Sequence, residues 1–155
     1  MANSVCEILL TDAALKAPAQ SGETVAGAIV DFFGVVRELE EGREIEGIDY
    51  EAHHTMAEHQ LRSVAEKAAG KFRLKKVIVH HRVGFVRTGE ASLFLQVAAE
   101  HRGAAFEASK WIVDELKRKV PIWKHPKFRI PTQRHASHPP PRSFGVAGSE
   151  AATVK

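Results

Sequence analysis

The chain has 155 residues, 44% hydrophobic and 26% charged, enough to bury one core without covalent staples. A single cysteine, Cys6, excludes an intramolecular disulfide framework and a cysteine-rich zinc site, and no apolar stretch approaches the roughly 20 residues that span a bilayer. The net charge of +3 hides an asymmetry, with 4 Lys and Arg against 13 Asp and Glu in residues 1–66 and 18 against 6 thereafter, so the second half suits an anionic partner.

The opening MANSVCEILLTD has no basic stretch ahead of an apolar run, so no signal peptide is expected and a cytoplasmic location is. Val5–Leu10 reads as a short strand and Asp12–Ala17 as a weak helical turn. After a break at Ser21-Gly22, the Val-, Ile- and Phe-rich run Ala26–Val36 reads as a buried strand. Glu38–Glu46 is a charged loop, and Gly47–Ala52 alternates like a strand with Ile48, Tyr50 and Ala52 on one face. From Thr55 to Phe72, Met56, Leu61, Val64, Ala65 and Ala68 fit one helical face, with Gly70 marking its end. Lys76–Val83 is a strand, Gly84 and Gly89 are turns, and Ala91–Ala99 is a long strand. Over His101–Lys119 the stripe Ala105, Phe106, Ser109, Ile112, Val113 and Leu116 predicts a helix that Pro121 ends. Ile122–Lys124 is extended, and from Pro131 the Pro-, His- and Ser-rich composition predicts a tail with too little apolar surface to offset its ordering entropy. Without regular βαβ spacing the fold class is α+β, with a domain over 1–130 and a tail over 131–155.

Three basic clusters sit where rigid elements end: Arg37, the pair His101-Arg102, and Lys117 with Lys124 around Pro121. A helix starting behind Arg102 would also offer free backbone N–H groups to a phosphate, whereas Lys117–Lys119 have a plainer reading as charges that complement a helix C-terminus. The histidines invite a metal reading that their spacing refuses. His80 and His81 point to opposite faces of a strand, His54 and His59 are five apart rather than three or four, and no cysteine accompanies them. No serine elbow or glycine-rich phosphate loop is present. Cys6 fits a small core residue better than a nucleophile. Trp111, Trp123 and Phe128 near basic residues leave nucleic-acid binding as a possibility, with no binding motif to support it.

The segments GAIVDFFGVVR (27–37), IDYEAHHTMAE (48–58) and the run from Val79 to Lys124, containing HR-x-x-AFEA and PIWK, resemble the large, catalytic subunit of molybdopterin synthase in the same order over about residues 5–128. The resemblance implies a hammerhead-type α+β domain with a mixed or antiparallel sheet and two main helices. It implies conversion of cyclic pyranopterin monophosphate to molybdopterin, a sulfurtransferase reaction of molybdenum cofactor biosynthesis. The sulfur would arrive as a thiocarboxylate on the C-terminal Gly-Gly of a small ubiquitin-like subunit, and two large subunits would form a homodimer within a heterotetramer. No metal or other cofactor, nucleic acid or membrane is implied.

Residue by residue, Lys117 and Lys124 match the family's two active-site lysines. Arg37, His101 and Arg102 match its anion- and pterin-binding positions, with Lys117, Lys124, His125 and Pro126 also at the substrate. Thiocarboxylate chemistry needs positive charge near the tail carbonyl and a group to move protons, which the lysines supply. The chain departs from the family at Val35, usually Thr or Ser, at His53, usually Tyr, at the loop Glu38–Glu41, and at His125-Pro126, usually a basic residue and Glu. These departures leave an alternative open: an impaired homologue that binds the small subunit or a pterin without turnover.

Overall fold

A computed structural model describes residues 5–19 and 25–131; the Ser21-Gly22 break and residues 132–155 of the expected tail lie outside them. The chain runs β1 (Cys6–Thr11), β2 (Ala28–Val35), β3 (Leu39–Glu40), β4 (Arg43–Ala52), α1 (His54–Phe72), β5 (Lys76–Arg82), β6 (Gly84–Arg87), β7 (Ala91–Ala99), α2 (Arg102–Lys119) and β8 (Ile122–Phe128). Two helices and two small sheets make the α+β domain that the pattern predicts.

The first sheet has the order β1-β5-β7-β2, with β1 parallel to β5 and the other pairs antiparallel. Strand β7 is central and buried beyond its first residue, which is why its nine residues read as a mainly apolar run, interrupted only by Ser92 and Gln96, rather than as an alternation. Val77, Val79, Leu95 and Val97 on one face of this sheet join Leu61, Val64, Ala65, Ala108, Ile112 and Leu116 of the helices in the main core. In the second sheet β4 is the spine, with β6 and β8 on its two sides and β3 pairing with its start. Val36, Ile45, Ile48, Tyr50 and Val86 form a smaller core there.

Several expectations are corrected. Residues 12–17 form no helical turn, and the charged loop 38–46 is partly a hairpin turning at Glu41-Gly42, both with positive φ. Helix α1 runs through Gly70 to Phe72 and stops at Arg73, whose φ of 52° and ψ of 50° are left-handed. Gly84 opens a strand missed in the sequence, because its φ of 83° turns the chain sharply between β5 and β6. Met56 and Phe106 are exposed at 52% and 63%, while the small side chains of Ala57, one position on, and Ala108, two positions on, are buried. Strand β2 is the largest correction. It is an edge strand with Ile29, Phe32, Phe33 and Val35 exposed, not a buried one.

Candidate active site

Each expected cation is placed by a different local device. Val36 is buried, its N–H donates to Glu90 O at 3.0 Å and its carbonyl accepts from Gly89 N at 2.8 Å, so Arg37 leaves the sheet at a fixed point. Lys117 stands in the last turn of α2, whose neighbours Arg118 and Lys119 both pair with buried Glu115, at 2.8 and 2.7 Å. After the Pro121 break, the Ile122 N–H donates to Val120 O at 2.8 Å and the chain enters β8, where Lys124 lies opposite Tyr50 of β4. Arg37, Lys117 and Lys124 thereby line one cleft of about 640 Å³ between the two sheets and the end of α2. That volume is within the ordinary range for small-molecule sites.

The remaining expected residues do not reach this cleft. His101 is the N-cap of α2, its side chain 84% exposed and 3.7 Å from Glu100, and Arg102 beside it is exposed. His125 alternates with Lys124 along β8 and so turns the other way, toward Glu51 at 3.1 Å. Pro126 pairs across from Ile48 on the same strand. Two further histidines have structural partners: His53 Nδ1 caps α1 by accepting from Met56 N, and His80 meets Glu7 at 2.8 Å.

The cleft wall holds three residues that sequence reasoning did not assign to it. The Tyr50 hydroxyl donates to Ser92 Oγ at 3.1 Å, and Ser92 Oγ donates to the Gly34 carbonyl at 3.3 Å. This chain of bonds ties the second sheet to the first. The His81 and Tyr50 rings pack in a T-shaped pair, centroids 5.3 Å apart and planes at 73°. Burial raises the Tyr50 hydroxyl's pKa, partly offset by the Ser92 bond. Burial also lowers that of His81, Lys124 adding to the effect against the Arg82 carbonyl, which accepts from Nδ1 at 2.7 Å. The only signal in the sequence was the alternation of His80 and His81, which sends one of them to each face.

The lowered His81 pKa makes a prediction about stability. Below about pH 6.5 the unfolded chain protonates this histidine while the folded chain does not, so stability present at pH 7 is lost as pH falls from 6.5 toward the folded value. Urea unfolding at pH 7.5 and 5.5 should show the loss, and His81→Asn should reduce it. A slope unchanged by the substitution would assign it to other groups.

The family described as MoaE protein matches residues 8–119. The chain is 39% identical over 114 residues to the molybdopterin synthase catalytic subunit of Pyrococcus abyssi, covering 70% of this chain and 77% of that one. It is 41% identical over 102 residues to the protein of the same name from Oryza sativa subsp. indica, of which it spans about half, 53%, with 66% of this chain covered. Among solved structures, molybdopterin synthase from Staphylococcus aureus superposes with a TM-score of 0.67 at 27% identity, over 79% of this chain and 90% of that one. The complex of subunits 1 and 2 of molybdopterin-converting factor from Helicobacter pylori shares the fold, with a TM-score of 0.60 at 20% identity over 84% and 92%. The chain belongs to the MoaE protein family.

Proposed function

We propose that the chain is the catalytic subunit of a cytoplasmic molybdopterin synthase, which converts cyclic pyranopterin monophosphate to molybdopterin with thiocarboxylate sulfur from a small ubiquitin-like subunit. The observation that carries this reading is the convergence of Arg37, Lys117 and Lys124 on one cleft. A phosphorylated pterin and a thiocarboxylate are both anions, and three cations on three rigid elements can hold them together in the geometry of reaction. The names of the relatives support the reaction. The Helicobacter pylori neighbour is a complex of two subunits, which supports a small-subunit partner. Among the described residues no helix is long and apolar enough to cross a membrane.

The reading includes a homodimer. The free edge of β2 exposes Ile29, Phe32, Phe33 and Val35, and unpaired apolar edges are pairing surfaces. His101 and Arg102 lie near the start of β2, because Ala28 pairs with Ala99, whereas Arg37 and the cleft lie near its end. Two-fold antiparallel pairing of β2 with its copy would set the start of one strand beside the end of the other. That arrangement would bring His101 and Arg102 of each copy toward the other's cleft.

Arg37→Ala and Arg102→Ala are each expected to weaken precursor binding tenfold or more, since a charged hydrogen bond to phosphate contributes about 1.5–3 kcal/mol. If the two arginines serve one site from different copies, mixing the two variants restores part of the activity, because one site of the mixed dimer is intact. A mixture no more active than its components would place both arginines in one chain's site. The function itself is tested by reconstitution with a thiocarboxylated small subunit and cyclic pyranopterin monophosphate. Dithiolene product is expected. A tight complex without product would favour the binding-module reading, which the departures at Val35 and His125-Pro126 motivate.

A further inference from the structure

We propose that His81 is the proton acceptor of the cleft, taking the proton of the water that frees the sulfur carrier's tail once sulfur is bound to the substrate. This rests on the function proposed above and adds a residue to it. A thiocarboxylate, R–CO–S⁻, passes on its sulfur by forming an S–C bond to a substrate carbon while that carbon's bond to an oxygen-linked group X breaks with its electron pair on X, which leaves the two molecules joined as R–CO–S–R′ and releases X⁻. Separating them with the sulfur on the substrate takes a water molecule. The water oxygen bonds to the acyl carbon, the acyl C–S bond breaks with its electron pair on sulfur, and the products are R–COO⁻, R′–S⁻ and two protons. No electrons are exchanged with any other reagent. The attacking water has to lose a proton, and Arg37, Lys117 and Lys124 are donors poorly suited to take it.

His81 has the right form and fixation for that task. The Arg82 carbonyl can only accept, so Nδ1, 2.7 Å away, carries the ring hydrogen and Nε2 carries the lone pair. Nε2 has no hydrogen-bond partner among the described residues, although the ring lines the cleft. The edge contact with Tyr50 fixes the ring, and Tyr50 is itself fixed through Ser92. The ionisable and hydrogen-bonding groups around it are Tyr50 from β4, Ser92 from β7, Lys124 from β8, Lys117 from α2, Arg37 after β2 and Glu40 from β3. On its own strand His80 and Arg82 are engaged elsewhere, by Glu7 and Glu90. Burial and the Lys124 charge keep the imidazole neutral below its usual range, so the base form is present at neutral pH.

The test follows the acyl–sulfur adduct between carrier tail and pterin by quenched-flow mass spectrometry, using thiocarboxylated small subunit and cyclic pyranopterin monophosphate. His81→Asn keeps an amide N–H for the Arg82 carbonyl and removes the base. The adduct should form at close to the wild-type rate in this variant and break down about 10²-fold more slowly, the usual scale for a lost acid or base. Free imidazole should speed breakdown in His81→Ala. In the wild-type protein the breakdown rate should rise with pH through one ionisation below 6.5 and then level off, a limb that His81→Asn abolishes. Wild-type breakdown in His81→Asn, or slower adduct formation with unchanged breakdown, would overturn the assignment. Should both variants fail to fold, a wild-type profile without that limb would overturn it as well. Wild-type protein that forms neither adduct nor product would instead overturn the function reading, and this assignment with it.

Discussion

Replacing Lys124 or Lys117 with alanine is expected to cut dithiolene formation by about 10²-fold or more, the scale for losing a positioned acid or base, while leaving the fold and small-subunit binding largely intact. The geometry separates these lysines from their neighbours. Arg118 and Lys119 each pair with Glu115 and so serve the helix end. Lys117 and Lys124 make no ion pair among the described residues and line the cleft. Both are exposed, so truncation removes little packing, and surface changes away from special features usually alter stability by no more than about 0.5 kcal/mol. Lys124→Arg should rescue poorly, because a guanidinium keeps the charge but does not release a proton near neutral pH. The measurement is product formed per turnover of thiocarboxylated carrier, with melting temperature as the control for folding. Near-wild-type turnover in both alanine variants would return Lys117 and Lys124 to the role of helix-end and strand charges.

How much of this was legible beforehand depends on the range of the interaction. Strand β7 and helix α2 are readable because a mainly apolar run and a 3.6-residue stripe are local patterns. The misplacements of Met56 and Phe106 show the limit of that signal. A stripe gives the direction of the buried face, but its width is set by what packs against it. The apolar run of β2 looked buried for the same reason: composition records that a surface avoids water, not whether the cover comes from this chain or another. The cations of the cleft were found through the family resemblance and their positions at element ends. Tyr50, His81 and Ser92 were not found, since they come from three strands and Tyr50 is 42 residues from Ser92. No local pattern marks a hydrogen bond of that span. Gly84 reads as a turn alone in the sequence, whereas in the fold one residue there both reverses the chain and opens a strand.

Gly47→Ala is expected to destabilise the fold by about 2–3 kcal/mol, the upper part of the roughly 1–3 kcal/mol that forcing extra atoms into a packed interior costs. Gly47 is buried at the middle of the second sheet, paired with Arg87 of β6 and Lys127 of β8. An added Cβ would overlap the Val86 carbonyl oxygen and lie 2.7 and 2.8 Å from carbons of the Phe85 ring. The ring can swing aside at small cost, but the carbonyl belongs to the ladder that joins β4 to β6 and can move only with the backbone. Thermal unfolding followed by circular dichroism should show a melting temperature lowered by roughly 5–10 °C for a domain of this size. Gly70→Ala is the matched control: in α1, with open space where its Cβ would go, it should raise stability by about 0.5–1 kcal/mol. An unchanged melting temperature in Gly47→Ala would show that the sheet gives way more easily than its packing implies. The displacement also reaches the chemistry, because β4 carries Tyr50 and holds β8 in the register that sets Lys124 opposite it. At a temperature where Gly47→Ala is still fully folded, turnover should therefore fall while binding of the small subunit holds. A strand shifted by a few tenths of an ångström still offers a docking surface, but it no longer holds an ammonium group where a reacting carbonyl needs it.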